Sequence, residues 1–159
     1  MTDDVREIQV HMCAIGIGQG RDVLRATLGS CVGIGLLWRE RAIYGLAHCL
    51  LPDAPTRPEG NGAKYVTQAI PSLLRLMQVE RASHDALEAV LAGGANMVHY
   101  ERRPAHAPIG EQNVRTAQQL LAALGVRVVH VDVGGECGRQ LLIDCHQHAF
   151  AVKKFTRTL

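Results

Sequence analysis

The stretch that decides the fold is residues 31–51, CVGIGLLWRERAIYGLAHCLL. The run at 31–37 is apolar on both faces and contains two glycines, which is typical of a strand buried at the centre of a sheet. A charged triplet at 39–41 interrupts the apolar pattern, and a second apolar run at 42–51 ends immediately before Pro52. The stretch therefore predicts an antiparallel hairpin of two buried strands.

Shorter patterns extend this hairpin into an α+β fold. Alternating or short apolar runs predict strands, whereas apolar stripes with helical spacing predict helices. The predicted strands are 7–17, 22–27, 87–91, 126–133, 140–146 and 149–153; the helices are 64–78, in which Pro71 marks a start or a kink, and 110–125; the loops are 52–62 and 102–108. Consecutive strands with two substantial helices favour an α+β fold with antiparallel or mixed sheets. We expect residues 1–159 to form a single domain.

The composition disfavours several classes of protein. A formal net charge of +2 with scattered arginines argues against nucleic-acid binding. The longest uncharged stretch, 26–38, is broken by three glycines and is shorter than the ~20 apolar residues of a membrane span. The five cysteines contain no C-x-x-C pair, and the acidic opening MTDD differs from a secretory signal. We therefore expect a cytoplasmic protein with free thiols and no membrane insertion.

Cys31 is the candidate nucleophile of this chain. Nearby glycines allow the backbone to turn sharply there and a substrate to approach closely. The simpler interpretation is a small buried core residue, as most free cysteines are. A hairpin turn centred between residues 39 and 40 would place His48 directly opposite Cys31 on one face. An imidazole in that position would lower the pKa of the thiol, whereas Cys49 would face the other side of its strand.

Several segments in order along the chain carry a family resemblance. They are TLGSCV at 27–32, AHCLLP at 47–52, KY at 64–65, GGANM at 93–97, IGEQN at 109–113, and DVGG at 132–135 with GR at 138–139. Together they resemble the chemoreceptor glutamine deamidase family, CheD, over about residues 8 to 154. The resemblance covers nearly the whole chain, and its strength comes from the order of the segments.

The resemblance implies hydrolysis of glutamine carboxamides to glutamate on chemoreceptor helices. It also implies a layered α/β sandwich of mixed or antiparallel sheets flanked by helices, like the fold of cytotoxin-type cysteine deamidases. It also implies a Cys-His-Thr catalytic set, in which Cys31 is the nucleophile and His48 the base. The family pattern has a threonine a few residues before the cysteine. Position 25 here is arginine, so Thr27 is the nearest hydroxyl and the expected orienter of His48.

The expected chemistry is acyl transfer through a thioester. Cys31 attacks the glutamine carbonyl, and His48 protonates the departing ammonia and then activates water. The backbone of the turn at Gly29, Ser30 and Cys31 is the expected source of donors for the oxyanion. We expect no cofactor and no metal, because the histidines at 146 and 148 beside a single cysteine are a weak ligand pattern.

The expected partners are the cytoplasmic helices of chemoreceptors, with a CheC-like phosphatase as a further partner. Arg57, Arg102 and Arg103 lie in the two proline-containing loops and would pair with acidic receptor residues; alternatively they are solvated loop charges. Two other functions stay open. One is a chemotaxis adaptor that mainly binds a CheC-like phosphatase with little or no turnover. The other is a protease or transglutaminase-like enzyme that uses the same dyad.

Overall fold

The computed structural model describes residues 4–97 and 106–156, which contain two β-sheets and two α-helices. The strands are β1 (Glu7–Gln9), β2 (Ile15–Gly18), β3 (Val23–Leu28), β4 (Val32–Trp38), β5 (Ile43–Cys49), β6 (Glu88–Gly93), β7 (Arg127–Val133), β8 (Gly138–Asp144) and β9 (Ala149–Phe155). The helices are α1 (Val66–Leu76) and α2 (Ile109–Ala123), and a 3₁₀-helix spans Arg81–Ala86. The sheet orders are β1-β3-β8-β9 and β2-β5-β4-β6-β7. Each sheet contains parallel and antiparallel pairs, which confirms the α+β class with mixed sheets.

The central hairpin forms as predicted, but with a different register. β4 is buried at every residue and lies between β5 and β6. Gly33, and not Cys31, pairs with His48, so the prediction of a directly opposed pair is wrong. The turn spans residues 39–42, and Ala42 adopts a positive φ of 53°. Its centre is therefore one residue later than predicted. This change shifts the register by two residues, so the side chains keep their faces.

The five-stranded sheet is the middle layer of three. The two helices cover one of its faces, and the four-stranded sheet covers the other. Gly33 and Gly35 lie on the face between the sheets, where a Cβ would come within 2.7 Å of Leu28 and 3.0 Å of Ile143. The two sheets pack closely at this point because β4 has no side chain there.

The predicted strand at 7–17 is two strands in different sheets. Cys13 has a φ of 70°, and the Ala14 N–H donates to the His11 carbonyl, so the chain turns at residues 10–14. β1 then pairs with β3 in one sheet, and β2 pairs with β5 in the other. The period-2 pattern continues through the turn, which is why the sequence does not reveal it. As a result, the 10–14 turn lies against His48.

The two predicted helices are present. α1 begins at Val66 and contains Pro71 in its interior, so the proline does not mark its start. α2 ends at Ala123, and Gly125 follows with a φ of 75°, as its stop signal predicts. The predicted loop at 102–108 lies mostly outside the described residues. In the part of the chain that the structure describes, neither helix has the length and hydrophobicity needed to cross a membrane.

Candidate active site

A turn at Gly29–Cys31 carries the chain from the four-stranded sheet to the five-stranded sheet. All three of its carbonyl groups accept hydrogen bonds. The Ala95 N–H donates to Gly29 O at 2.9 Å, and the Gly94 N–H donates to Cys31 O at 2.8 Å. The side-chain amide of Asn113 donates to Ser30 O at 3.3 Å. The backbone of the Gly29–Cys31 turn is therefore held from two neighbouring segments, 94–95 and the start of α2.

The N–H groups of the same turn are not used in this way. Within residues 4–97 and 106–156, the N–H groups of Ser30 and Cys31 donate to no backbone carbonyl and no side chain of another residue. Two adjacent N–H groups beside a thiol can bind an oxygen that gains negative charge during a reaction. The turn therefore fixes its acceptors, whereas its Ser30 and Cys31 N–H groups bond no other described residue, and the Cys31 N–H interacts with its own thiol.

His48 lies between the two sheets with a defined tautomer. Its Nδ1 is 3.0 Å from the carbonyl oxygen of Val10, in the turn that precedes β2. Because a carbonyl only accepts, Nδ1 carries the proton and Nε2 has a free lone pair. The backbone of His48 is also held, by the Cys13 N–H at 2.8 Å and by the Ala14 carbonyl at 3.1 Å. The imidazole is therefore arranged to accept a proton at Nε2.

Cys31 immediately precedes β4, and His48 lies on β5, on the same face of the sheet. Gly33 is opposite His48, so Cys31 lies two residues before the position that pairs with the histidine. Both residues are buried, with 4% and 5% of their surface exposed. Among the described residues no hydrogen bond joins the Cys31 thiol and the His48 ring, as is common before substrate binds.

Burial sets the protonation states of this pair. It raises the pKa of the Cys31 thiol, and the neighbouring Cys13 thiol raises it further. Burial also lowers the pKa of His48, against the opposing effect of the Val10 carbonyl. The sequence predicted a lowered pKa for the Cys31 thiol, whereas the structure raises it. The resting pair is therefore a neutral thiol beside a neutral imidazole.

Cys49 shows why the two strand faces matter. It follows His48 directly, but it packs in the cluster beneath the helices, whereas Cys31 packs between the sheets. Burial raises the pKa of the Cys49 thiol far above its usual range. Cys49 is thus a buried thiol of the same hairpin that faces away from His48.

Thr27 does not reach His48. Ala26 and Leu28 point into the space between the sheets, so Thr27 lies on the opposite, exposed face of β3. The His48 ring, which Thr27 was expected to orient, is held at Nδ1 by the Val10 carbonyl. The expectation for Thr27 is not met, because strand alternation turns its hydroxyl away from the site.

Two glycines let the segments behind the turn pack in direct backbone contact. Gly93 has a φ of 98°, and a Cβ there would lie 2.3 Å from Cys31 O. Gly110 packs in the same way, because its Cβ would lie 2.4 Å from Gly94 O. Side chains at these positions would separate α2 from the Gly29–Cys31 turn.

Two surface features adjoin the Gly29–Cys31 turn and the segments packed behind it. A cavity of about 570 Å³ lies between α2 and the end of β7, lined among others by Gly94, Glu111 and Arg115. Met97 is 40% exposed, and its Cγ lies 3.5 Å from the point where a Cβ on Gly29 would be. An exposed methionine beside Gly29 provides an adaptable apolar surface next to the turn.

The other predicted site residues lie elsewhere. Arg57 is exposed and lines a small cavity against Pro71 and Arg75 of α1. Arg102 and Arg103 lie outside the described residues. In residues 4–97 and 106–156, no group of three or more His, Cys, Asp or Glu side chains is arranged to hold a metal ion.

Comparison with known proteins identifies the family. A family model described as "CheD chemotactic sensory transduction" matches residues 50–154, about two thirds of the chain. The chain belongs to the CheD family. The expected resemblance is thereby confirmed, and the CheD-like segments at 27–32, 93–97 and 109–113 meet at the Gly29–Cys31 turn.

Curated CheD relatives align with nearly the whole chain. A probable chemoreceptor glutamine deamidase CheD 2 of Ruegeria sp. (strain TM1040) is 36% identical, over 97% of this chain and 95% of the relative. A probable chemoreceptor glutamine deamidase CheD of Bdellovibrio bacteriovorus is 36% identical, over 96% of this chain and 97% of the relative. A probable chemoreceptor glutamine deamidase CheD of Pyrococcus abyssi is 41% identical, over 87% of this chain and 86% of the relative. These alignments extend beyond the segment matched by the family model.

Two contributors to the site were missed from the sequence. Val10 acts through its carbonyl, which every residue has, so no sequence signal marks it. Asn113 was noticed only as part of the CheD-like segment at 109–113. Its CheD-like context was the one available signal, because an asparagine inside a helix is otherwise read as a surface residue.

Proposed function

We propose that this chain hydrolyses glutamine side chains of chemoreceptors to glutamate, with Cys31 as nucleophile and His48 as base. The observation that carries the proposal is the hydrogen bond from His48 Nδ1 to the Val10 carbonyl, on the face that His48 shares with Cys31. A histidine held in this way has one nitrogen left for proton transfer. The names of the curated CheD relatives, chemoreceptor glutamine deamidases, supply the substrate class.

The reaction starts from the neutral pair. As Cys31 Sγ attacks the glutamine Cδ, the thiol proton passes to His48 Nε2, and the carbonyl oxygen becomes an oxyanion. The C–N bond then breaks, and ammonia leaves with the proton from His48. Water adds to the thioester with His48 again as base, and breakage of the C–S bond releases glutamate and the Cys31 thiol.

The oxyanion is bound by the N–H groups of Ser30 and Cys31. Neither donates to a backbone carbonyl or to the side chain of another described residue, the Cys31 N–H interacts with its own thiol, and both belong to a turn whose carbonyls are fixed. Gly29 leaves room beside this turn, because it has no side chain between Met97 and the backbone. Fixed donors of this kind stabilise the transition state without needing to reorganise.

The substrate reaches the turn from the side of Met97. The target glutamine lies on a receptor helix, and Met97 offers an exposed apolar surface next to Gly29. Arg102 and Arg103 follow closely in the sequence and would pair with acidic residues of that helix. Arg57 lies against α1 and would contact a more distant part of the receptor.

Intact-mass measurement of a receptor cytoplasmic fragment tests the proposal. Each converted glutamine replaces NH₂ by OH and shifts the mass accordingly. The wild type and Cys49→Ala should modify the fragment, whereas Cys31→Ala should not. Cys49→Ala is the matched control, because it removes a buried thiol from the same hairpin on the opposite face. If wild-type protein leaves the fragment unmodified, the deamidase proposal fails, and binding to a CheC-like phosphatase becomes the function to measure.

A further inference from the structure

The side chain of Asn113 joins the turn that carries Cys31 to the segment that follows His48. Asn113 is fully buried in the second turn of α2. Its Nδ2 donates to Ser30 O at 3.3 Å and to Leu50 O at 3.0 Å. Ser30 immediately precedes Cys31, and Leu50 follows His48 by two residues. One amide group therefore links the nucleophile turn to the end of the strand that carries the base.

The hydrogen bond to Ser30 O also sets the direction of the Cys31 N–H. The carbonyl of Ser30 and the N–H of Cys31 belong to one planar peptide unit and point in opposite directions when the unit is trans, and the described residues contain no cis peptide bond. Asn113 pulls the carbonyl towards α2, so the N–H points away from α2. The Ala95 N–H does the same for the preceding unit by holding Gly29 O.

A second observation separates Asn113 from an ordinary core residue. Its Oδ1 is buried and has no hydrogen-bond partner among the described residues. A buried acceptor without a partner is unfavourable, so its presence requires an explanation. The site thus tolerates an unpaired oxygen in order to keep the two N–H donors of the amide.

We propose that Asn113 is a positioning residue, which aims the Cys31 N–H at the carbonyl oxygen of the substrate glutamine. The inference rests on the proposed function and deepens it. Loss of the amide donors would let the Ser30–Cys31 peptide rotate, and the oxyanion would lose an aligned donor. The thiol and the imidazole would stay in place, because their own contacts do not include Asn113.

Asn113→Asp and Asn113→Leu test this role, since both lack the amide donors and keep a similar size. We expect kcat for deamidation to fall at least ~10-fold with KM little changed, because an oxyanion donor acts only in the transition state. Alkylation of Cys31 by iodoacetamide should stay close to the wild-type rate, because displacement at a saturated carbon forms no oxyanion. Gln112→Leu is the matched control: it removes a side-chain amide that bonds the Ala107 carbonyl, away from the turn.

The two readouts distinguish positioning from general damage. All rates are measured on folded protein, well below the unfolding transition of each variant. An unchanged kcat overturns the inference, and so does a rise in KM alone. A parallel loss of deamidation and alkylation also overturns it, because it would mean that the whole site has shifted.

A third readout does not depend on turnover. The amide ¹H–¹⁵N resonance of Cys31 should move in Asn113→Leu and stay in place in Gln112→Leu, because it reports the orientation of that peptide. If wild-type protein proves inactive on receptor fragments, the proposed function fails, and this resonance alone decides the role of Asn113. An unmoved resonance overturns the inference.

Discussion

Replacing Gly93 by alanine should damage both the stability and the active site of this protein. A Cβ on Gly93 would lie 2.3 Å from Cys31 O and 3.0 Å from Leu28 Cβ. Carbon and oxygen atoms in close contact are ordinarily about 3.3 Å apart, so the two segments must separate by about 1 Å. The hydrogen bond from the Gly94 N–H to Cys31 O, now 2.8 Å, would lengthen with them.

Two costs determine the expected loss of stability. A side chain at a positive φ costs about 1–2 kcal/mol, and the weakened hydrogen bond costs about 1 kcal/mol. The free energy of unfolding should therefore fall by about 2–3 kcal/mol, which corresponds to about 5–10 °C in Tm for a chain of this size. A displacement of about 1 Å at the nucleophile should lower kcat by about 10²-fold.

Gly60→Ala provides the control for this prediction. Gly60 also has a positive φ, 73°, but a Cβ there would meet nothing within 4 Å. It should lose stability only through backbone strain and keep kcat. Thermal unfolding followed by circular dichroism and the receptor mass assay measure both effects. If Gly93→Ala is no less stable than Gly60→Ala and keeps kcat within about twofold, the backbone contact does not position the nucleophile.

Three further predictions concern the same site. Burial lowers the pKa of His48 from its ordinary value of 6.5, and the base must be neutral to accept a proton. As the pH decreases, kcat/KM should therefore stay at its plateau to below pH 6.5 and fall only when the pH passes through the lowered pKa. An acid limb at or above pH 6.5 would contradict the burial argument. Thr27→Ala should keep kcat, because its hydroxyl lies on the outer face of β3; a loss comparable to that of His48→Ala would restore the threonine to the catalytic set. Met97→Ala should raise KM for receptor fragments with kcat little changed, and an unchanged KM would place docking elsewhere.

Much of the framework was predictable because its signals are local. The apolar runs of 31–51 predicted the buried hairpin, and its two strands pair at the centre of the sheet. The turn centre was misplaced by one residue, since a positive φ at Ala42 has no clear sequence signal. That error moved the register by two residues, so Cys31 and His48 still share a face. Strand alternation therefore kept the two side chains on one face although the predicted pairing was wrong.

Alternation also identifies the expectation that failed. Thr27 was chosen by its closeness in sequence to Cys31, but residues two or three positions apart near a turn need not face the same space. Once β3 is aligned with β8, Thr27 lies opposite Gln140 on the exposed side of the sheet. Sequence distance gave the wrong answer because the change of sheet at residues 29–31 reorients the chain.

The sequence by itself determined the α+β class, the central hairpin, the two helices, and the identity of the thiol and imidazole that share one face. Only the tertiary structure decided what holds them: the Val10 carbonyl on His48, and Gly94, Ala95 and Asn113 on the Gly29–Cys31 turn. The physical reason is that periodicity follows from neighbouring residues, whereas these hydrogen bonds join backbone groups from distant segments. A backbone carbonyl or N–H is nearly the same in every residue, so its role appears only when the chain is folded.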